Sequence, residues 1–197
     1  MLENGETSSV DEMPLQTQIS VEPFKKWVVD CVGPISPRSM KSSYILVHTN
    51  YVTKWVESNA LYFSSEKVVV DSLFEDIFAR FGVPREIVTD QGTQLMSKPV
   101  KTIMEQYNIR HQKSTPYHPQ ANEQVESTNK LLEPILTKPI LLHHGNWAGE
   151  LSEALWAYQI TWRNITGHSF YELVYGKQAL LPIEFQVKLF EMPLNWE

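Results

Sequence analysis

Trp27-Val28-Val29-Asp30-Cys31-Val32 is the stretch on which the reading of this chain turns. Val28, Val29, Cys31 and Val32 have the composition of a buried β-strand, where a lone carboxylate is costly unless something neutralises it. For Asp30 alone, an Arg or Lys partner, a loop-capping role and a functional role all meet that need. Two further acids bear on the choice: Asp90, in Ile87-Val88-Thr89-Asp90-Gln91-Gly92, and Glu126, 36 positions later. Three carboxylates so placed point to one metal site, because hard divalent cations prefer carboxylate oxygen.

With 197 residues, 42% of them hydrophobic and including six Trp, eight Tyr and eight Phe, the chain can pack one well-filled domain. Its single cysteine, Cys31, excludes an internal disulfide framework and a multi-cysteine zinc site, and reads as a small core residue. No apolar stretch approaches the roughly 18 residues needed to cross a bilayer, and no basic region followed by an apolar one opens the chain. The sequence therefore reads as soluble, unsecreted and without a membrane partner. The formal charge of −6 is concentrated at the start: residues 1–20 hold Glu3, Glu6, Asp11 and Glu12 with no Lys or Arg. The remainder, with 17 basic residues against 19 acidic ones, leaves a polyanionic partner open.

Residues 1–20 are polar and aperiodic and read as a disordered acidic tail, residues 21–184 as the folded core, and 185–197 as a C-terminal tail or linker. After the Asp30 strand, Gly33-Pro34 and Pro37 mark a turn, and strands over 44–49 and 54–58 complete an antiparallel meander. Ser64 or Ser65 caps a helix whose apolar positions are Val70, Leu73, Phe74, Ile77, Phe78 and Phe81, closed by Gly82 and Pro84. A strand over 85–89, a helix over 97–107 and a strand over 109–112 follow. Asp90 then either projects from its strand's C-terminal end, the edge where α/β sheets favour ligands, or closes an Asx-turn before Gln91-Gly92.

Beyond the two-proline loop Ser114-Thr115-Pro116-Tyr117-His118-Pro119-Gln120, a helix from about Ala121 carries Val125, Thr128, Leu132 and Ile135 on one face. Asn122, Glu126, Asn129, Lys130 and Glu133 line another. Glu126 by itself reads equally as a solvated acid paired with Lys130 at i+4. Pro134 kinks or ends this helix. Trp147, Leu151, Leu155, Tyr158 and Trp162 form a further stripe at helical spacing, read as core packing. His48, His111, His143, His144 and His168 lack zinc-ligand company and read as structural or solvated.

At this point a family resemblance emerges. Trp27-Val28-Val29-Asp30-Cys31-Val32-Gly33-Pro34, Tyr51-Val52-Thr53-Lys54-Trp55-Val56-Glu57, Arg80-Phe81-Gly82-Val83-Pro84, Tyr117-His118-Pro119-Gln120-Ala121-Asn122, Ala154-Leu155-Trp156-Ala157-Tyr158 and Leu173-Val174-Tyr175-Gly176 resemble the catalytic core of retroviral-type integrases. The particular likeness is to the gypsy-like long-terminal-repeat retrotransposons of plants, and it spans about Phe24 to Glu184. That family's signature of Asp, Asp, thirty-five intervening residues and Glu falls on Asp30, Asp90 and Glu126. The resemblance implies an α/β, ribonuclease-H-like fold: a five-stranded mixed sheet, three strands antiparallel and the others parallel, flanked by helices.

It also implies a polynucleotidyl transferase that processes DNA ends and transfers them to target DNA in the nucleus, as a homo-oligomer of at least two copies. Phosphodiester transfer needs an activated oxygen nucleophile and a stabilised leaving 3′-oxygen, which two Mg²⁺ (or Mn²⁺) ions about 3.5 to 4 Å apart provide. Asp30 is expected to bridge both ions, with Asp90 completing one shell and Glu126 the other. By the same resemblance Lys130 touches a DNA phosphate, unless it pairs with Glu126 or Glu133, and Asn129 steadies the helix and loop. His118 and Gln120 sit in a loop expected to close over DNA ends, while Tyr117 either stacks on a base or packs.

The chain departs from the family pattern at Asn50, Val52, Gln91 and Gln159, and more pointedly at Glu123, where relatives place Gly. Glu123 lies at i−3 from Glu126 and adds a fourth carboxylate facing the site. Full-length relatives generally also carry a His and Cys zinc domain and a further DNA-binding domain, so the chain reads as an isolated core. Glu123, Pro134 and that isolation motivate an alternative, a catalytically decayed integrase remnant acting as a DNA-binding or dimerising module. A ribonuclease acting on RNA–DNA hybrids shares the fold and metals, but the motifs of the second half favour integrases.

Overall fold

The structure, a computed structural model, describes residues 22–90, 92–113 and 145–180. Tyr117, His118, Gln120, Glu123, Glu126, Asn129, Lys130, Pro134, the helix expected from Ala121 and both expected tails lie outside the described residues.

Five strands form one mixed sheet in the order β3-β2-β1-β4-β5. They are β1 Lys26–Val32, β2 Tyr44–Asn50, β3 Val56–Leu61, β4 Glu86–Thr89 and β5 Arg110–Lys113. The pairs β1–β2 and β2–β3 are antiparallel, whereas β1–β4 and β4–β5 are parallel. This is the expected ribonuclease-H-like sheet. In β1 the residues alternate: Trp27 and Val29 are buried while Val28 and Asp30 are half-buried. The sequence suggested a strand buried throughout, but Val32 at its end is 38% exposed.

β3 begins two residues later than expected and runs to Leu61 rather than Ser58. Asn50 explains the delay, since its side-chain oxygen accepts from the Val52 and Thr53 amides and from the Thr53 hydroxyl. That turn continues through Lys54, which takes a positive φ of 59°, so extended pairing resumes only at Val56.

Of the two candidate caps, Ser65 performs the role, its side chain accepting from the Val68 amide at 3.3 Å. The helix it starts has three consecutive parts: α1 Glu66–Ser72, a π-helical stretch Leu73–Phe78 and α2 Ala79–Phe81. Gly82, at φ 81°, ends it. The winding departs from the sequence expectation, because Ser72 and Asp76 turn toward β2 and β3 while Phe74 is 48% exposed. Their partners are polar. Ser72 Oγ donates to Asp76 at 2.6 Å, Asn59 donates to both, and His48 Nε2 lies 3.4 Å from Ser72 Oγ.

α3 Lys98–Gln106 contributes buried Val100, Ile103 and Met104. α4 Trp147–Ile160 runs beside β3, where Tyr158 and Gln159 donate to the Lys54 and Val56 carbonyls. Trp147, Leu151, Leu155 and Tyr158 are buried as expected, but α4 ends before Trp162. That residue opens the two-residue strand β6 Trp162–Arg163, which pairs with β7 His168–Ser169, and is 57% exposed. α5 Phe170–Tyr175 is started by a capping box between Ser169 and Glu172. An aromatic cluster joins these parts: Phe81 stacks on Phe24 at 4.9 Å and meets Trp27 and Trp55, while Trp55 meets Tyr175 at 5.5 Å.

Candidate active site

The parallel ladder between β1 and β4 ends with the pair Val29 and Thr89. Asp30 follows Val29 within β1, and Asp90 follows Thr89 just past the end of β4. Because adjacent strands lie about 4.8 Å apart, a shared register brings two acids distant in sequence to neighbouring positions.

Asp30 is partly withdrawn from water. Burial raises its pKa above the ordinary carboxylate value, a bond from the Cys31 backbone amide at 2.8 Å partly offsets this, and the charge of Asp90 raises it again. Asp90 is exposed, and its Oδ1 accepts from the Gly92 amide at 2.9 Å. Both sequence readings of Asp90 are therefore realised in one geometry: it sits at the strand's C-terminal end, and it closes an Asx-turn. No ion pair with Lys, Arg or His involves Asp30 or Asp90 among the described residues.

Cys31 stands next to this pair along β1. Its Sγ donates to Ser64 Oγ at 3.2 Å, and Gln94 also bonds to it. Burial pushes its thiol pKa up, opposed by those two bonds and reinforced by Asp30 and Asp90. Cys31 is half-buried against the core, close to the small core residue expected.

Gly92 escaped sequence reasoning as part of the site. A Cβ there would stand 2.9 Å from Asp90 Oδ1 and 3.2 Å from the Gln94 side-chain nitrogen. The carboxylate therefore occupies space that only glycine leaves. The signal was present in the sequence, since a glycine two residues after an Asp at a strand end is the composition of an Asx-turn.

As donors the two acids fit a hard divalent cation: they offer carboxylate oxygens, one of them desolvated and repelled by the other, with no ion pair to a protein cation among the described residues. Among the described residues no group of three His, Cys, Asp or Glu side chains gathers into a metal site. Glu126, the expected third ligand, lies outside them. The histidines within them have other roles. His48 is fully buried beside Ser72, His111 meets Thr89 Oγ1 at 2.9 Å, and His168 is exposed.

Comparison with known proteins agrees with this architecture. The chain is 30% identical over 161 residues to a Gag-Pol polyprotein of avian reticuloendotheliosis virus, covering 81% of this chain and 14% of that protein. It is 24% identical over 169 residues to a retrovirus-related Pol polyprotein from transposon 412 of Drosophila melanogaster, covering 86% of this chain and again 14% of the relative. The chain thus spans about one seventh of these polyproteins. Among solved structures it resembles a chain of the simian T-cell lymphotropic virus intasome in complex with PP2A regulatory subunit B56 gamma. That match has a TM-score of 0.66 at 21% identity, covering 89% of this chain and 63% of that one, and it shows a shared fold. The profile of the integrase core domain matches residues 20–119, a span that includes Asp30 and Asp90. On that match, this chain belongs to the integrase core domain family.

Proposed function

We propose that the chain is the catalytic core of a gypsy-like retrotransposon integrase, occupying residues 21–184. In this reading it is a polynucleotidyl transferase that trims DNA ends and joins their 3′-hydroxyls to target DNA. The observation that carries the reading is the placement of Asp30 and Asp90 directly beyond the paired Val29 and Thr89, with no ion-pair partner among the described residues.

In this reading Asp30, Asp90 and Glu126 would hold Mg²⁺ or Mn²⁺. When bound, two such ions activate the attacking oxygen and stabilise the leaving 3′-oxygen. The chain's own contribution is to fix the ligands. The Cys31 amide orients Asp30, and the Gly92 amide orients Asp90. Lys130, Asn129, Tyr117, His118 and Gln120 are assigned to the DNA, and the working unit to a homo-oligomer of at least two copies acting in the nucleus. Among the described residues no helix is long and apolar enough to cross a membrane.

The test is disintegration-type strand transfer on a branched DNA with Mg²⁺ or Mn²⁺, comparing the wild type with Asp90→Asn, Glu126→Gln and Glu123→Gly. Loss of activity in the first two supports the reading, and activity untouched by Asp90→Asn overturns it. A silent wild type that Glu123→Gly revives identifies a decayed remnant instead.

A further inference from the structure

Tyr62 and Phe63 follow β3 directly and are each 57% exposed. Their rings meet edge to face, with centroids 5.6 Å apart at 78°. Leu61 before them packs against the core, so the strand buries one residue and then presents two aromatics to water. Fold stability gives no reason for such a pair, whereas a binding surface does.

The pair stands at the end of the sheet that carries Asp30. Antiparallel pairing through β2 brings the C-terminal end of β3 to the same end as that of β1. The chain then folds back, because Ser64, next to Phe63, receives the 3.2 Å bond from Cys31, next to Asp30.

A second exposed element is tied to the end of β3. Ser39 and Ser42 exchange backbone bonds of 3.1 and 2.6 Å around Met40 and Lys41, whose φ values of 49° and 71° make a tight two-residue turn. The Ser43 amide donates to the Leu61 carbonyl at 2.8 Å, tying this turn to the end of β3. Met40 is 72% exposed, Lys41 is exposed, and residues 36–43 hold Arg38 and Lys41 with no acid.

We propose that Tyr62 and Phe63, flanked by Lys41, form a stacking platform for unpaired nucleotides at the end of a DNA strand held at the Asp30–Asp90 site. The chemistry matches: aromatic faces take bases from single strands, and neighbouring cations take the phosphates between them. An edge-to-face pair leaves ring faces open, and a duplex keeps its bases stacked inside, so the partner is an unpaired end. An exposed Lys41 on the turn bonded to the end of β3 suits a polyanion better than an apolar protein surface. The proposal rests on DNA being the substrate of the site, and it adds a binding position outside the carboxylates.

The test uses the full chain with Ca²⁺ and fluorescent DNA, either a blunt duplex or one with a three-nucleotide unpaired end bearing 2-aminopurine. The wild type is expected to favour the unpaired end and to quench its fluorescence. Tyr62→Ala and Phe63→Ala should each weaken unpaired-end binding about tenfold and leave blunt-end binding unchanged. Tyr62→Trp should retain both preference and quenching, with circular dichroism confirming that all variants fold. Equal affinity of the wild type for the two DNAs would overturn the platform, as would a preference that survives the double alanine variant. A ring deletion that shifts only the sedimentation of the free protein would overturn it too, assigning the surface to a second copy. Strand transfer by Asp90→Asn reports separately on the carboxylate site, so failure of the platform and failure of the enzymatic reading are distinguishable.

Discussion

Asp30 and Asp90 each stand one residue beyond Val29 and Thr89, the pair that ends the parallel β1–β4 ladder, and the charge of Asp90 raises the pKa of Asp30. Two acids in this relationship repel each other whenever no cation lies between them. The fold tolerates the repulsion because both Asp30 and Asp90 accept a backbone amide. A divalent ion bound between them would relieve this repulsion and so couple metal binding to stability.

Asp90→Asn should therefore have opposite effects with and without metal. Asparagine keeps the oxygen that accepts from Gly92 and removes the charge. In EDTA the variant should melt about 2 to 4 °C above the wild type, the size expected from relieving a like-charged cross-strand pair. Mg²⁺ should raise the melting temperature of the wild type and leave the variant unmoved. Differential scanning fluorimetry across a Mg²⁺ titration checks both signs, and equal Mg²⁺ responses would count against Asp90 as a ligand.

Gly92→Ala tests whether Asp90 is positioned by the space beside it. The new Cβ would press on a side-chain oxygen rather than on backbone. The carboxylate can swing away at little cost in stability but loses the Gly92 bond and its orientation. Strand transfer should fall on the order of tenfold to a hundredfold, the scale of a misplaced reacting group, while the melting temperature moves by less than about 2 °C. A variant with unaltered activity would show that the turn does not orient the acid.

The two acids were legible as candidates because Asp30 lies in an apolar run and Asp90 follows another, and their adjacency was expected from the family resemblance, not from local pattern. Adjacency depends on β4 pairing with β1 in parallel across an intervening helix, a topological fact that local pattern does not carry. The meander was legible from its alternation and turns, except where Asn50 captures three donors and delays β3. The π-helical stretch was illegible for a related reason. Leu73, Ile77 and Phe78 follow the apolar pattern and are buried, but Ser72 and Asp76 also face the sheet. Their partners His48 and Asn59 come from other strands, and helical periodicity says nothing of them. Trp162 fitted the spacing of the α4 stripe, but the helix stops at Ile160.

His48 gives the fold a defined acid sensitivity. Burial pushes its pKa down to about 4, with Asp76 acting in the opposite direction, against 6.5 for an ordinary histidine. Between those values the unfolded chain holds a proton that the folded chain does not, so stability falls as pH drops from about 6.5 toward 4 and is fully present above that window. The loss from this residue is up to about 3 kcal/mol. His48→Leu should flatten that part of the profile, because leucine takes up no proton, while Ser72 keeps its bond to Asp76. Urea denaturation at pH 7, 6, 5 and 4.5 measures the difference, and parallel profiles for the two proteins would exclude His48 as the source.

Glu57 joins the edge strand to the end of the long helix, and its deletion should be more damaging than its half-buried position suggests. The Trp55 indole nitrogen and Arg80 both reach its Oε1 at 2.7 Å. Burial raises its pKa despite these partners, so the carboxylate is held where charge is costly and the partners make it tolerable. Glu57→Ala would leave the N–H of Trp55, which is only 2% exposed, without an acceptor, along with a partly exposed guanidinium. Stability should fall by about 2 kcal/mol, mostly from the unsatisfied indole, since Arg80 can turn to water. Glu57→Gln keeps an acceptor oxygen and should recover more than half of that loss. Chemical denaturation of the two variants decides the matter: equal destabilisation would mean that the charge on Glu57, and not its hydrogen bond to Trp55, holds this corner together.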